Sequence, residues 1–201
     1  NILLGGGGSD LFEGGAGDDV IDGDAWLNVR IRFEHDGSAY TTDSMAGKIY
    51  LEAAYVAAQG DTEGLTAQFS GRTLDSLMLD RTVNPGQLEI KREIFWDDSG
   101  VDTAYYWDVQ ENYTITHLDD GRVIVEHHTM TEGEFDPITG KNRTSDGTDT
   151  LYNVERLEFG DGTVVAINSA PASPLIALTS NTNGTSNQIT ADVSAFLAAN
   201  P

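Results

Sequence analysis

Gly5-Gly6-Gly7-Gly8-Ser9-Asp10-Leu11-Phe12-Glu13 is followed at once by Gly14-Gly15-Ala16-Gly17-Asp18-Asp19-Val20-Ile21-Asp22, two in-phase copies of one nine-residue pattern. In each copy a glycine-rich half is suited to a tight turn, because folding carbonyl oxygens inward needs positive φ angles that residues with a Cβ adopt poorly. An aspartate closes each turn with a hard oxygen ligand, and a short second half contributes one apolar residue. Oxygen donors of this kind suit calcium, which takes six to eight oxygens, more than one turn offers, so neighbouring coils must share each ion. Stacking the copies in register places Asp10 over Gly23 and Asp24, and Asp19 over Asn1, which holds the aspartate position of an earlier copy. Leu3, Phe12 and Ile21 then form an apolar seam. The expected metal residues are Asn1, Gly5, Gly6, Gly8, Asp10, Gly14, Gly15, Gly17, Asp19, Gly23 and Asp24. The alternative for such a glycine and aspartate cluster is a flexible loop, and two in-phase copies argue against it.

Composition sets the frame. Among 201 residues there are 33 acidic and 11 basic side chains, a formal net charge of -22. Nucleic acid is excluded as a partner on this balance, since phosphate would be repelled, and an anionic membrane surface is disfavoured for the same reason. No apolar run approaches the roughly 18 residues that span a bilayer, so no membrane insertion is expected. So acidic a chain resists compaction without counterions, and divalent cations relieve the repulsion. Cysteine is absent, so calcium would take the stapling role that disulfides have in small secreted domains. The first residues, Asn1-Ile2-Leu3-Leu4, have the phase of a repeat whose glycine half is missing, so the chain is expected to be an excerpt with further coils upstream.

Beyond Asp24, residues 26–34 alternate, with Val29, Ile31 and Phe33 on one face and Asn28, Arg30, Arg32 and Glu34 on the other, as in a half-buried strand. Residues 44–58 do not distinguish helix from strand. The stretch 73–79 predicts one or two helical turns, with Leu74, Leu77 and Met78 as a buried stripe, ended by a turn at Asn84-Pro85-Gly86. Strands are expected over 87–95, 103–109, 112–118, 122–130, 151–159 and 163–167, with hairpin turns at Asp119-Asp120-Gly121 and Gly160-Asp161-Gly162. Residues 131–148 read as a polar excursion, 169–174 as a Pro/Ser linker, and Thr190 as the cap of a short terminal helix. The domains expected are thus 1–25, a coil end; 26–168, a β-rich domain; and 169–201, linker and tail.

The nonapeptide resembles the RTX (hemolysin-type) calcium-binding repeat of the parallel β-roll. The resemblance extends over Asp22-Gly23-Asp24-Ala25-Trp26-Leu27-Asn28-Val29-Arg30-Ile31, Asn84-Pro85-Gly86-Gln87-Leu88, Arg92-Glu93-Ile94, Asn112-Tyr113-Thr114-Ile115 and residues 146–157, from Asp146-Gly147-Thr148-Asp149 to Glu155-Arg156-Leu157. This series is similar to the region that follows RTX coils in large bacterial proteins, including those carrying an animal-type haem peroxidase domain. It implies a mainly β fold: a short parallel β-roll, then a β-rich, sandwich-like capping domain with one or two short helices. It also implies type I secretion, a place outside a Gram-negative cell or on its surface, and calcium ions, further coils and other domains of the parent chain as partners. Nothing matches the family's haem-binding helices, so no haem ligand is carried over to any histidine.

The remaining chemistry is sparse. His127 and His128 are adjacent on an expected strand and face opposite ways, and His117 is the one other histidine near enough in the hairpin to pair. Asp136-Pro137 suggests either an acid-labile bond or a plain turn, the turn being favoured. Asp97-Asp98-Ser99-Gly100-Val101-Asp102 lacks EF-hand spacing and reads as a surface turn. Trp96, Tyr105, Tyr106 and Trp107 read as core with some outward faces, where a stacking platform for a sugar or peptide is the alternative. The functional expectation is a non-enzymatic calcium-binding structural module that folds outside the cell. The alternatives are an adhesion or ligand-binding domain for a glycan, peptide or second copy, and an accessory region of a secreted peroxidase-like enzyme.

Overall fold

The computed structural model describes residues 1–135, 140–167, 177–180 and 189–192. In chain order the elements are β1 (Ile2–Leu4), β2 (Leu11–Phe12), β3 (Val20–Asp22), β4 (Ala25–His35), β5 (Ser38–Thr42), β6 (Tyr50–Leu51), α1 (Glu52–Ala57), α2 (Leu74–Leu79) and β7 (Glu89–Trp96). There follow β8 (Thr103–Tyr106), β9 (Tyr113–His117), β10 (Val123–His127), β11 (Thr148–Tyr152), β12 (Arg156–Phe159), β13 (Val164–Ala166), β14 (Ala177–Ser180) and β15 (Ile189–Asp192). The fold is mainly β. The expected Asp136-Pro137 site and the 169–174 linker lie outside the described residues. Thr190 belongs to β15, which pairs with β14 in an antiparallel ladder, and does not cap a helix.

The chain forms two compact units. The first combines residues 1–26 with 96–167, and the second is built on 27–95. The opening repeats therefore do not stand apart as a 1–25 segment before a 26–168 domain. In the first unit the chain passes between two sheets, ordered β1-β3-β11-β10-β9 and β13-β12-β8-β2. β3 takes β1 on one side and β11 on the other, both parallel, with Ile21 opposite Leu3 and Leu151. β8 sits likewise between β2 and β12, with Ala104 opposite Phe12 and Leu157.

The parallel pairing thus continues through 103–106, 148–152 and 156–159, contrary to the expectation that the coil ends near Asp24. Nor do these later strands form a separate sandwich. The expected strand 151–159 is two strands, broken by a corner at Asn153 (φ 48°) that carries the chain from one sheet to the other. Antiparallel hairpins close the far side of both sheets: β9–β10 on β11, and β13 on β12. Both expected turns are where the glycines point, Gly121 N–H reaching Leu118 O at 3.1 Å and Gly162 N–H reaching Phe159 O at 2.8 Å. Between the sheets Phe12, Ile21, Ala104, Leu151 and Leu157 join Tyr106, Tyr113, Val123, Val125 and Phe159 in one core, with Leu3 packed against it. The expected seam is the start of that core.

The second unit is a sheet ordered β6-β5-β4-β7. Phe33, Ile49, Leu74, Leu77 and Val83 form its core, so the stripe expected over 73–79 does face inward as α2. Residues 44–58 resolve into β6 and α1. β4 departs from the expected alternation in its first half, where Val29 is 48 % exposed while Asn28 and Arg30 are buried. The cause is charge pairing. Glu93 takes the Arg30 guanidinium through two bonds (3.0 and 2.8 Å), Glu52 accepts a third at 2.8 Å, and Thr41 Oγ1 lies at 3.1 Å. A guanidinium with four of its N–H groups bonded, three of them to carboxylates, is tolerated where a lone charge is not.

Candidate functional site

The turns between the two sheets carry the most repeated geometry in the molecule. Gly8-Ser9-Asp10, Gly17-Asp18-Asp19, Gly100-Val101-Asp102 and Gly147-Thr148-Asp149 share one spacing, and their glycines all have positive φ, at 107°, 95°, 107° and 81°. The residue two places after each aspartate is Phe12, Ile21, Ala104 or Leu151, and all four enter the same core. Asn153-Val154-Glu155 is a fifth copy, with Asn153 in the glycine position and Glu155 in the acid position; Leu157 follows into the core. Sequence reading found the first two copies and missed the other three. The signal left in two of them is Gly-x-Asp-x-apolar without the glycine half, and in the third Asn-x-Glu-x-apolar.

The backbone N–H of each acid reaches the acid of the neighbouring turn, later in the sequence, in the same way. Asp10 N–H donates to Asp102 Oδ1 at 2.7 Å, and Asp102 N–H to Glu155 Oε2 at 2.7 Å. On the opposite edge Asp19 N–H donates to Asp149 Oδ1 at 2.9 Å, and the Asn1 amino group meets Asp19 Oδ1. Two carboxylate ladders result, one along each edge. In both, side chains far apart in sequence are brought to adjacent rungs. Residues 97–101 are exposed, as a surface turn should be, but the segment ends on a buried Asp102.

The second oxygens of these carboxylates are the unusual feature. Asp10 Oδ2, Asp19 Oδ2 and Asp149 Oδ2 are buried and make no hydrogen bond of ordinary geometry. Asp149 has a loose contact with the Tyr106 hydroxyl, which is itself buried. The glycines leave room beside such oxygens: a Cβ on Gly5 would fall 2.3 Å from Gly23 O and 2.8 Å from Asp10 Oδ2. On Gly23 it would fall 2.0 Å from Asn153 O and 2.2 Å from Asp102 Oδ2. Asp10 and Gly23 thus both flank Gly5, and Asn1 lies at Asp19. Gly6, Gly15 and Gly17 hold positive φ in the same turns, and a Cβ on Gly14 would meet Asp19 Oδ2 at 2.7 Å.

Burial and mutual repulsion leave this region short of positive charge. Burial, then the charges of Asp102, Asp98 and Glu155, push Asp24 up to about 7. Burial likewise raises Asp149 to about 7, against the hydrogen bond from Asp19 N–H. Asp22 and Asp102 are raised by the same desolvation. Among the described residues no three His, Cys, Asp or Glu side chains converge as a ready-made metal cage. A cation here would have to combine one or two carboxylates with backbone carbonyls. The donor set is entirely oxygen, which fits a hard divalent ion.

The histidines serve a different part of the first unit. His127 is buried and His128 exposed, on opposite faces as expected. Asp146 N–H donates to His127 Nδ1 at 3.1 Å, so Nε2 carries the proton toward Asp108 Oδ2 at 3.2 Å. Burial raises Asp108, but hydrogen bonds led by Thr131 outweigh it and bring the group to about 2. Tyr113 stacks on the His127 ring at 4.3 Å and donates to Asp146 Oδ2 at 2.5 Å. His117 pairs across the hairpin with Val123, away from His127. Of the aromatics, Tyr106 is core, and Trp107 lies under the Arg143 guanidinium at 5.3 Å while its indole N–H meets Thr144 O.

Among the described residues no helix is long and apolar enough to cross a membrane. In comparisons with known proteins, the chain matches no family model, no curated protein and no solved structure.

Proposed function

We propose that this chain is a calcium-dependent structural module of the RTX type, whose first unit is a parallel β-roll that closes when calcium enters its turns. One observation carries the reading: the Oδ2 atoms of Asp10, Asp19 and Asp149, at three Gly-x-Asp turns, are buried without a hydrogen bond, while the Oδ1 atoms of Asp102 and Asp149 accept the N–H groups of Asp10 and Asp19. An unbonded buried carboxylate oxygen is costly, and a bound cation offsets that cost. Asn1, Asp10, Asp19 and Asp24, with the carbonyls of Gly5, Gly6, Gly8, Gly14, Gly15, Gly17 and Gly23, are the candidate holders. Calcium supplies the positive charge that a chain of -22 lacks.

The role is mechanical and needs no catalysis. Extracellular calcium modules have dissociation constants of about 10⁻⁴–10⁻³ M, so such sites are empty at cytosolic calcium and filled outside the cell. A ligand at ten times its dissociation constant adds about 1.4 kcal/mol per site, and a few sites decide the folding of a marginal unit. Circular dichroism and hydrodynamic radius in EDTA and in millimolar calcium test this. The expected result is gain of β signal and compaction on adding calcium, reversed by chelation. Identical spectra and radii in both conditions would refute it.

A further inference from the structure

We propose that residues 59–72 of the second unit form a strap that lifts away on its own, drawing the Phe69 ring out of a slot that then takes an aromatic side chain of a peptide. This goes beyond the calcium reading and does not depend on it. The backbone carries the first observation. Phe69 (φ 59°), Ser70 (φ 50°) and Gly71 (φ 79°) are left-handed in succession. Left-handed backbone is met in single residues, mostly glycine, and two in a row that carry side chains are strained. Among the described residues no other two neighbours that both carry a Cβ share this state. Such strain persists only where surrounding contacts hold it, and it collects at clamps and switches.

What holds it here is the ring. Phe33 and Tyr40 are register partners on β4 and β5, and their rings stack at 5.6 Å. Phe69 meets Tyr40 edge-on at 4.9 Å and lies 6.1 Å from Phe33 and 5.7 Å from His35. The rest of the strap has little hold. No residue between Tyr55 and Leu74 is buried, and a Cβ on Gly64 or Gly71 would meet nothing within 4 Å. Gln68 N–H donates to Ile49 O at 2.7 Å beside the plug. At the other end Gln59-Gly60 supplies a second pair of positive φ angles, 50° and 79°. Segments with few buried contacts open at free energies well below that of the whole unit. Opening relieves the strain and leaves Phe33, Tyr40 and His35 around a ring-sized gap, a site of the minor state that a ligand can populate. The ligand chemistry is that of the plug it replaces, an aromatic side chain.

Hydrogen exchange and titration with N-acetyl-phenylalaninamide, both followed by NMR on the whole chain at fixed millimolar calcium, test this. The Gln68 amide is expected to exchange at least about tenfold faster than the slowest amides of β4 and β5. The probe is expected to shift the Tyr40 and His35 ring signals. In Ser70→Gly, glycine removes more left-handed strain than the freedom it adds to the open strap, so Gln68 exchange and apparent probe affinity should both fall about threefold. In Phe69→Ala no ring competes for the slot, and affinity should rise at least about tenfold. Ser70 is exposed, so Ser70→Gly decides the matter if Phe69→Ala does not fold. A Gln68 amide that exchanges no faster than the core of β4 overturns the strap. A probe that shifts neither ring, or binds wild type and variants alike, overturns the slot.

Discussion

Alanine at Gly100 and at Gly8 should have very different costs although the two glycines share one backbone angle, φ 107°. Both substitutions force a side chain into a conformation that costs about 1–3 kcal/mol. At Gly8 the new Cβ meets nothing within 4 Å, so that strain is the whole effect. At Gly100 it would lie 1.9 Å from Gly8 O and 2.8 Å from Ser9 Oγ, and the obstacle is backbone that cannot rotate away. Relieving the overlap separates the 97–102 turn from the 5–10 turn. That removes Gly8 N–H to Ser99 O at 3.0 Å and Val101 N–H to Ser9 Oγ at 2.9 Å, with a further bond from Gly8 N–H to Ser99 Oγ. At about 1 kcal/mol each, these add about 2–3 kcal/mol to the shared strain. Of the three tryptophans only Trp107 lies well inside the first unit, Trp26 and Trp96 being its boundary residues on β4 and β7, so the fluorescence of Trp107 in a Trp26→Phe, Trp96→Phe background follows the unfolding of that unit. With a urea slope of about 2 kcal/mol/M, the Gly100→Ala midpoint should fall about 1 M or more below that of Gly8→Ala at fixed millimolar calcium. Equal midpoints, or the larger loss at Gly8, would refute the stacking of the remote turn on the first repeat.

Other outcomes follow from the same geometry. Arg30→Met should destabilise the second unit by about 3 kcal/mol, the lower end of the range for breaking a buried pair, because Glu52 and Glu93 are partly exposed and rehydrate; urea unfolding followed by far-UV circular dichroism checks it. Arg30→Lys should recover only part, since an ammonium cannot bond Glu93 through a planar fork. In EDTA, stability should fall as pH rises from about 4 to 7. Asp24 and Asp149 are raised to about 7 when folded, so across that window the native state holds protons that the unfolded chain has released. Asp108, brought down to about 2, acts oppositely, contributing stability that is lost as pH falls below about 4. Melting temperatures of the EDTA-treated protein at pH 5 and 7.5 test the larger effect, and a higher value at pH 7.5 contradicts it.

The fold was legible where local pattern and tertiary need agree. Two full nonapeptides announced the turns and the Leu3, Phe12 and Ile21 seam, Gly121 and Gly162 announced the hairpins, and the Leu74 and Leu77 stripe announced a helix. The later turns were hidden because Asp97-Asp98-Ser99 and Thr144-Ser145-Asp146 stand where the first copies have glycine, leaving Gly-x-Asp to mark two of them and Asn153-Val154-Glu155 the third. Those positions are understood once Asp10 is seen to bond Asp102 across 92 residues, a relation that no window of local sequence contains. Arg30 was hidden for a related reason. Alternation assigns an arginine to solvent, and only the arrival of Glu52 and Glu93 from other elements makes its burial tolerable.

The interrupted ladder also bears on folding speed. Strands β1, β2 and β3 lie within the first 22 residues, yet β2 finds its partner at 103 and β3 its second partner at 150. Their contact order is therefore high, and closing such loops imposes an entropic barrier before any pairing stabilises the chain. A chain in which synthesis has reached only residue 100 contains the opening repeats without the strand β11 that completes their first sheet. Assembly of this unit is thus tied to the late arrival of residues 148–159, and truncating the chain before them should leave the opening repeats unpaired.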